Sequence, residues 1–172
     1  MKRIAQFEKV SLEQFKKDWI DTFPYYEFEE GNYEDIYNAI QLPKRATQGS
    51  AGHDFATPVC LKLFPNDTLK FPTGIKVRIE DGWVLKCYPR SSLGFKYRLQ
   101  LNNTVGIIDS DYYFSDNEGH IFAKITNDSN EYKVLTLNQG DAFMQGIFVE
   151  YGTTYDDNVV DIRNGGIGSS NK

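Results

Sequence analysis

A chain of 172 residues can bury one sizeable core, and its 40% hydrophobic, 15% aromatic and 25% charged residues are those of an ordinary globular domain. A net charge of −5 and a pI of about 5.1 exclude the basic footprint of a general nucleic-acid binder, but leave room for a nucleotide site served by a few local cations and a metal. No apolar run approaches the roughly 18 residues of a membrane span, and Met1-Lys2-Arg3 leads into amphipathic sequence rather than a signal peptide's apolar stretch, so a cytoplasmic setting without a membrane partner is expected.

Residues 1–41 differ from the rest and form an N-terminal helical extension in this reading. Ser11-Leu12-Glu13-Gln14 fits a capping box, with Ser11 at the N-cap and Gln14 at N3. Leu12, Phe15, Trp19, Ile20 and Phe23 follow as a helical stripe, Glu13 and Lys17 sit at i,i+4, and Pro24 stops the helix. A second helix starts near Asn32, with Tyr33, Ile36, Tyr37 and Ile40 on one face and Pro43 at its close. So aromatic a stripe needs a surface. Its own domain is favoured over a neighbouring subunit, because docking there carries no association cost.

From Leu42 the signals switch to strands. Ile75, Val77 and Ile79 alternate with Lys76, Arg78 and Glu80 as a half-buried strand, and Asp81-Gly82 makes a turn. Trp83 to Tyr88 is an apolar strand ended by Pro89, and Leu99 and Leu101 alternate before Asn102-Asn103 interrupts. His120 to Thr126, Tyr132 to Leu137 and Phe143 to Tyr151 complete the pattern. Many short strands with Gly, Asn, Asp and Pro turns predict an all-β sandwich or barrel over residues 42–160. Residues 161–172 are Gly-rich and polar, with no core pattern, and read as a mobile arm.

The most informative segment is Gly106-Ile107-Ile108-Asp109-Ser110-Asp111-Tyr112, an apolar strand that runs into two carboxylates and an aromatic ring. Alternation puts Val105, Ile107 and Asp109 on one face, expected to be the core face, with Asp109 held rigid by burial and suited to activating a water. Arg90-Ser91-Ser92, expected on a turn, offers a guanidinium and two hydroxyls to phosphate oxygens. Arg163 with Gly165, Gly166, Gly168, Ser169 and Ser170 offers similar parts, and Gln145, an amide inside an apolar run, needs a partner. Asp54 can cap a turn or orient waters on a metal. Cys60 and Cys87 read as buried thiols rather than a disulfide or metal pair, and His53 and His120 make no ligand spacing with them.

Five segments in order, Ser50–Phe55, Pro89–Gly94, Gly106–Tyr112, Gly140–Gln145 and Arg163–Ser170, resemble the five motifs of the trimeric deoxyuridine triphosphatases (dUTPases). The resemblance covers roughly Leu42 to the C-terminus. It implies a jelly-roll or distorted β-barrel fold, a homotrimer with shared active sites, and Mg²⁺-assisted hydrolysis of dUTP to dUMP and pyrophosphate, which limits uracil incorporation into DNA. By the same resemblance Asp109 activates the attacking water and Tyr112 packs on the deoxyribose, leaving no room for a 2′-hydroxyl. Asn103, Val105 and Ile107 lie on a hairpin that reads uracil; Arg90, Ser91, Ser92 and Gln145 contact phosphates; Asp54 lies near the metal, through water. Arg163, Gly165, Gly166, Ile167, Gly168, Ser169 and Ser170 match the arm that closes over the ligand.

Three positions depart from the family pattern: His53 stands where Tyr is usual, Ala142 where Arg is common, and Ile167 where a Phe usually stacks on uracil. Phe114 to Glu118 lengthens the turn after Tyr112, which reads as a surface insertion. Two other readings stand beside the enzyme. One is a dCTP deaminase of the same fold, which needs a glutamate where this chain has Asp109. The other is a dUTP-binding regulator acting through a protein partner, supported by the aromatic N-terminal segment and the inserted turn.

Overall fold

The structure, a computed structural model, describes residues 2–25 and 32–161. Its elements are β1 (Ala5–Lys9), α1 (Leu12–Thr22), α2 (Asn32–Ala39), β2 (Lys44–Arg45), β3 (His53–Ala56), β4 (Leu61–Leu63), β5 (Thr68–Pro72), β6 (Ile75–Ile79), β7 (Trp83–Pro89), α3 (Ser91–Tyr97), β8 (Leu99–Leu101), β9 (Gly106–Ile108), a 3₁₀ turn (Ser110–Phe114), β10 (Phe122–Asn127), β11 (Leu135–Leu137) and β12 (Ala142–Glu150). A five-stranded sheet runs β2-β3-β12-β7-β9 and a three-stranded sheet β5-β10-β8, with pairs β1-β6 and β11-β4 beside them. Every pairing is antiparallel. The sheets form a jelly-roll-like layering, and among the described residues they do not close into a barrel.

Strand alternation explains the layers. Ile75, Val77 and Ile79 of β6 are buried while Arg78 between them is exposed, as a one-sided strand requires. Phe55, Phe71, Leu85, Ile125 and Phe143 fill the core, with the rings of Phe71 and Phe143 5.2 Å apart. Among the described residues no helix is long and apolar enough to cross a membrane.

The N-terminal segment holds more than helices. β1 pairs with β6 from Ala5↔Ile79 to Lys9↔Ile75, and Phe7 packs on the rings of His53, Phe55 and Phe148. Its alternation of Ala5, Phe7 and Lys9 with Gln6 and Glu8 is too weakly apolar to read as a strand from sequence. Helix α1 starts where the capping signal put it: the Ser11 hydroxyl accepts from the Gln14 amide at 3.1 Å. The reciprocal acceptor is not Gln14 but Glu118, which takes the Ser11 N–H at 2.9 Å and the Ser11 hydroxyl at 2.6 Å. Phe15 and Trp19 are buried, and the helix docks on this chain's own β-domain, against β5 and the ring of His120.

Candidate functional site

The pairing of β7 with β9 sets Leu85 opposite Ile108 and Cys87 opposite Gly106. Gly106 and Ile108 therefore face the core, while Ile107 is 50% exposed. Asp109 lies on the Ile107 side and is exposed, contrary to the core-facing placement expected. The alternation holds but points the opposite way, because two adjacent isoleucines look equally core-like in sequence. Asp109 then sits at the start of the 3₁₀ turn in extended conformation, and its carbonyl accepts from the Tyr112 amide at 3.2 Å.

That turn swings Tyr112 inward, where it is only 2% exposed. Its hydroxyl donates to the His120 carbonyl at 2.7 Å and accepts from Asn117 Nδ2 at 3.1 Å. Tyr112 lines a cavity of about 530 Å³ with Asn103, Gly106, Ile107, Asn117 and Phe122. The volume suits a nucleoside. The connection from Leu101 to Gly106 is not a two-stranded hairpin. β8 pairs with β10 and β9 with β7, so the turn, with Thr104 at φ 65°, crosses from one sheet to the other. Val105 and Asp109 stand outside the lining.

A second cavity, also about 530 Å³, is built by the loop before β3, by β3 and β12, and by the start of α3. In β12 the register shifts between Ala142 and Met144, after which Gln145 lies opposite both Asp54 and Tyr88. Arg90 is anchored by its amide on the Phe143 carbonyl at 3.0 Å, and its guanidinium lies 3.5 Å from the Asp54 carboxylate. Ser91 and Ser92 are not on a turn but in the first turn of α3, exposed, with the Arg90 carbonyl accepting from Leu93 and Gly94 at 3.0 and 2.9 Å. Asp54, Arg90, Ser91, Ser92 and Gln145 all line this cavity. A cation, two hydroxyls and an amide facing one space are suited to phosphate oxygens.

The two cavities have no lining residue in common. One chain thus carries a largely apolar, nucleoside-sized cavity and a second one that gathers the polar candidates. A third cavity, of about 690 Å³ beside Arg3, Arg78, Asp81 and Asp111, holds none of the candidate residues. Arg163, Gly165, Gly166, Ile167, Gly168, Ser169 and Ser170 lie outside the described residues.

Among the described residues no three His, Cys, Asp or Glu side chains gather to hold a metal. The Asp54 carboxylate nonetheless fits Mg²⁺, a hard cation that keeps several waters and takes few protein ligands when phosphates are present. Cys87 is buried, and desolvation pushes its thiol up to about 12, so it is inert. Cys60 is exposed, against expectation, on the loop before β4.

Sequence reasoning gives no signal for Asn117. It lies in the inserted turn and reaches Tyr112 only because that turn folds back, which no periodicity announces. The insertion is partly exposed, at Phe114, but Ser115 is buried and Glu118 reaches α1.

The sequence pattern of the dUTPase family matches residues 38–171. The chain belongs to the dUTPase family. It is similar to the deoxyuridine 5′-triphosphate nucleotidohydrolase of Lactococcus lactis subsp. lactis (strain IL1403), 38% identical over 134 residues, which is 76% of this chain and 88% of that relative. The crystal structure of dUTPase from Streptococcus mutans matches with a TM-score of 0.61 and 31% identity, covering 86% of this chain and 97% of that one. A mutant dUTPase from phage phi11 of S. aureus, described as coordinating a structural Mg(II) ion, shares the fold with a TM-score of 0.62 at 17% identity, over 92% of this chain and 98% of that one. As a member of the dUTPase family the chain is an enzyme, a hydrolase of nucleotide metabolism.

Proposed function

We propose that the protein hydrolyses dUTP to dUMP and pyrophosphate and thereby limits uracil incorporation into DNA, acting in the cytoplasm as a homotrimer with shared active sites. The observation that carries this reading is the pair of complementary half-sites, a nucleoside-sized cavity at Tyr112 and a polar one at Arg90. Uracil is read by Asn103 and by the backbone from Val105 to Ile107. The Tyr112 ring packs on the deoxyribose. Residues 1–41 brace the catalytic β-domain of residues 42–160, and the arm of residues 161–172 closes over the ligand through Arg163 and Gly165 to Ser170, with Ile167 against the base.

The chemistry needs no protein nucleophile. Asp109, exposed at the end of β9, takes the proton of a water as that water's oxygen attacks the α-phosphorus. The bond to the β-phosphate oxygen breaks, and pyrophosphate leaves. Arg90, Ser91, Ser92 and Gln145 hold the phosphate oxygens and spread the growing charge. Asp54 orients Arg90 through their ion pair and would hold a Mg²⁺. Such an ion would supply positive charge to offset that growing on the phosphates.

The test is pyrophosphate release from dUTP with Mg²⁺, beside dCTP and dTTP and an Asp109→Asn variant. Release from dUTP alone is expected, falling about 10²–10⁴-fold in the variant. Ammonia release from dCTP, or dUTP binding without turnover, would overturn the reading.

A further inference from the structure

We propose that Asp18 and His120 are positioning residues for Tyr112, so that helix α1 takes part in selecting deoxyribose over ribose. The inference rests on the dUTP reading and extends it to residues outside the family's five motifs.

His120 is fully buried, and both its ring nitrogens are engaged. Nε2 accepts the Gly74 N–H at 2.7 Å, which leaves the proton on Nδ1, facing the Asp18 carboxylate at 2.5 Å. The donor is thus a neutral imidazole and the acceptor a carboxylate brought by α1, a charge-assisted bond. The backbone carbonyl of this same His120 is the acceptor of the Tyr112 hydroxyl, at 2.7 Å. Asn117 Nδ2 donates to that hydroxyl at 3.1 Å. Donor and acceptor capacity of the phenol are therefore both used, on residues 117 and 120.

The intervening residues are held as firmly. Gly119 has φ +70°, and a Cβ there would meet the Tyr112 carbonyl at 2.7 Å, so the chain doubles back onto the tyrosine. Glu118 binds Ser11 at the start of α1, and Asp18 binds His120 from the second turn. The segment from Asn117 to His120 is tied to α1 on one side and to Tyr112 on the other. The Asp18 carboxylate is 8% exposed and costly to desolvate, and it is kept in place because the buried Nδ1–H of His120 needs its acceptor. What the carboxylate adds is direction. A ring pinned at its hydroxyl cannot swing aside to admit a 2′-hydroxyl.

The experiment measures kcat and KM for dUTP and for UTP, with Mg²⁺, and the melting temperature, in the wild type and in Asp18→Leu, Asp18→Asn, His120→Asn and Leu137→Ala. Leu137, buried on β11, provides a loss of stability that does not touch the relay. Shape exclusion of one added hydroxyl is worth about 10²-fold in kcat/KM, and Asp18→Leu is expected to forfeit about tenfold of it. His120→Asn, which keeps an N–H toward Asp18, retains more of the preference, and so does Asp18→Asn, which keeps an acceptor and remains informative if Asp18→Leu does not fold. Leu137→Ala keeps the wild-type ratio. An unchanged dUTP/UTP ratio in folded Asp18 variants, or an equal loss in Leu137→Ala at matched melting temperature, overturns the proposal. A wild type that does not cleave dUTP instead removes the functional reading itself, and the proposal with it.

Discussion

At position 52 a β-carbon would lie 2.7 Å from Gln145 Oε1, so the absence of a side chain there is what lets Gln145 point into the polar cavity. The clash is with the far end of a flexible side chain, which can rotate away. Gly52→Ala is therefore expected to leave the melting temperature nearly unchanged while raising the KM for dUTP several-fold. Steady-state kinetics decide it, and an unchanged KM would mean that Gln145 does not meet the phosphates. His53 offers a second single-residue test. Burial lowers its pKa from 6.5, outweighing hydrogen bonds at Gly146 and Ala51 that favour the charged form. The unfolded chain then takes up a proton first as pH falls, so the stability that His53 contributes is present above 6.5 and declines below it until the folded pKa is passed. His53→Phe, placed among the rings of Phe7 and Phe148, is expected to flatten the fall of the urea midpoint between about pH 7.5 and about 5.5. An identical slope in the variant would remove His53 as its source. The identities at these positions are plain in the sequence. Their surroundings are not, because Gln145 meets Gly52 through a register set by a bulge in β12.

Among elements, α1 is the most legible and the least complete. Its cap, its stripe and its stop all follow from local signals that act within a few residues. The stripe still overreaches, since Ile20 is 51% exposed. Strand β1 escapes a sequence reading because it is polar on alternate positions and becomes a strand only against β6. Glu118 could not be foreseen at all, since it lies 107 residues from the cap that it completes. That reach makes the cap testable. Ser11→Ala is expected to cost about 1 kcal/mol, and Glu118→Ala a similar amount, with the double variant losing clearly less than the sum because both remove one cluster. Chemical denaturation of the four proteins measures the coupling, and strict additivity would mean that the two do not cooperate. Acid acts on the same element. Burial raises the Asp18 pKa, but hydrogen bonds with His120 and Gln14 outweigh it, so the net shift is downward from 3.8. Its contribution to α1 docking is present above the unfolded pKa and lost as pH falls through the lower folded one.

For the whole molecule, the strand pattern from Leu42 onward announces a β-domain, and five short motifs in order announce a chemistry. Neither says where in space Arg90 stands relative to Tyr112. That distance depends on which strands pair, and strand pairing is a long-range property. The expectation of sites shared between subunits comes from the resemblance alone. The two half-sites on one chain have no lining residue in common, which leads to a sharp test. Asp109→Asn removes the base beside the nucleoside half, and Arg90→Ala removes the cation of the polar half. Each variant alone is expected to be nearly inactive. If the two halves meet across a subunit boundary, denaturing an equal mixture and refolding it rebuilds some sites with Asp109 from one chain and Arg90 from another. Random assembly gives roughly a quarter of the sites both intact residues, hence about a quarter of wild-type activity. If each site draws both residues from a single chain, the refolded mixture stays as inactive as its parents, because no chain in it carries both. Sedimentation of the refolded mixture beside the assay distinguishes failed assembly from an unshared site.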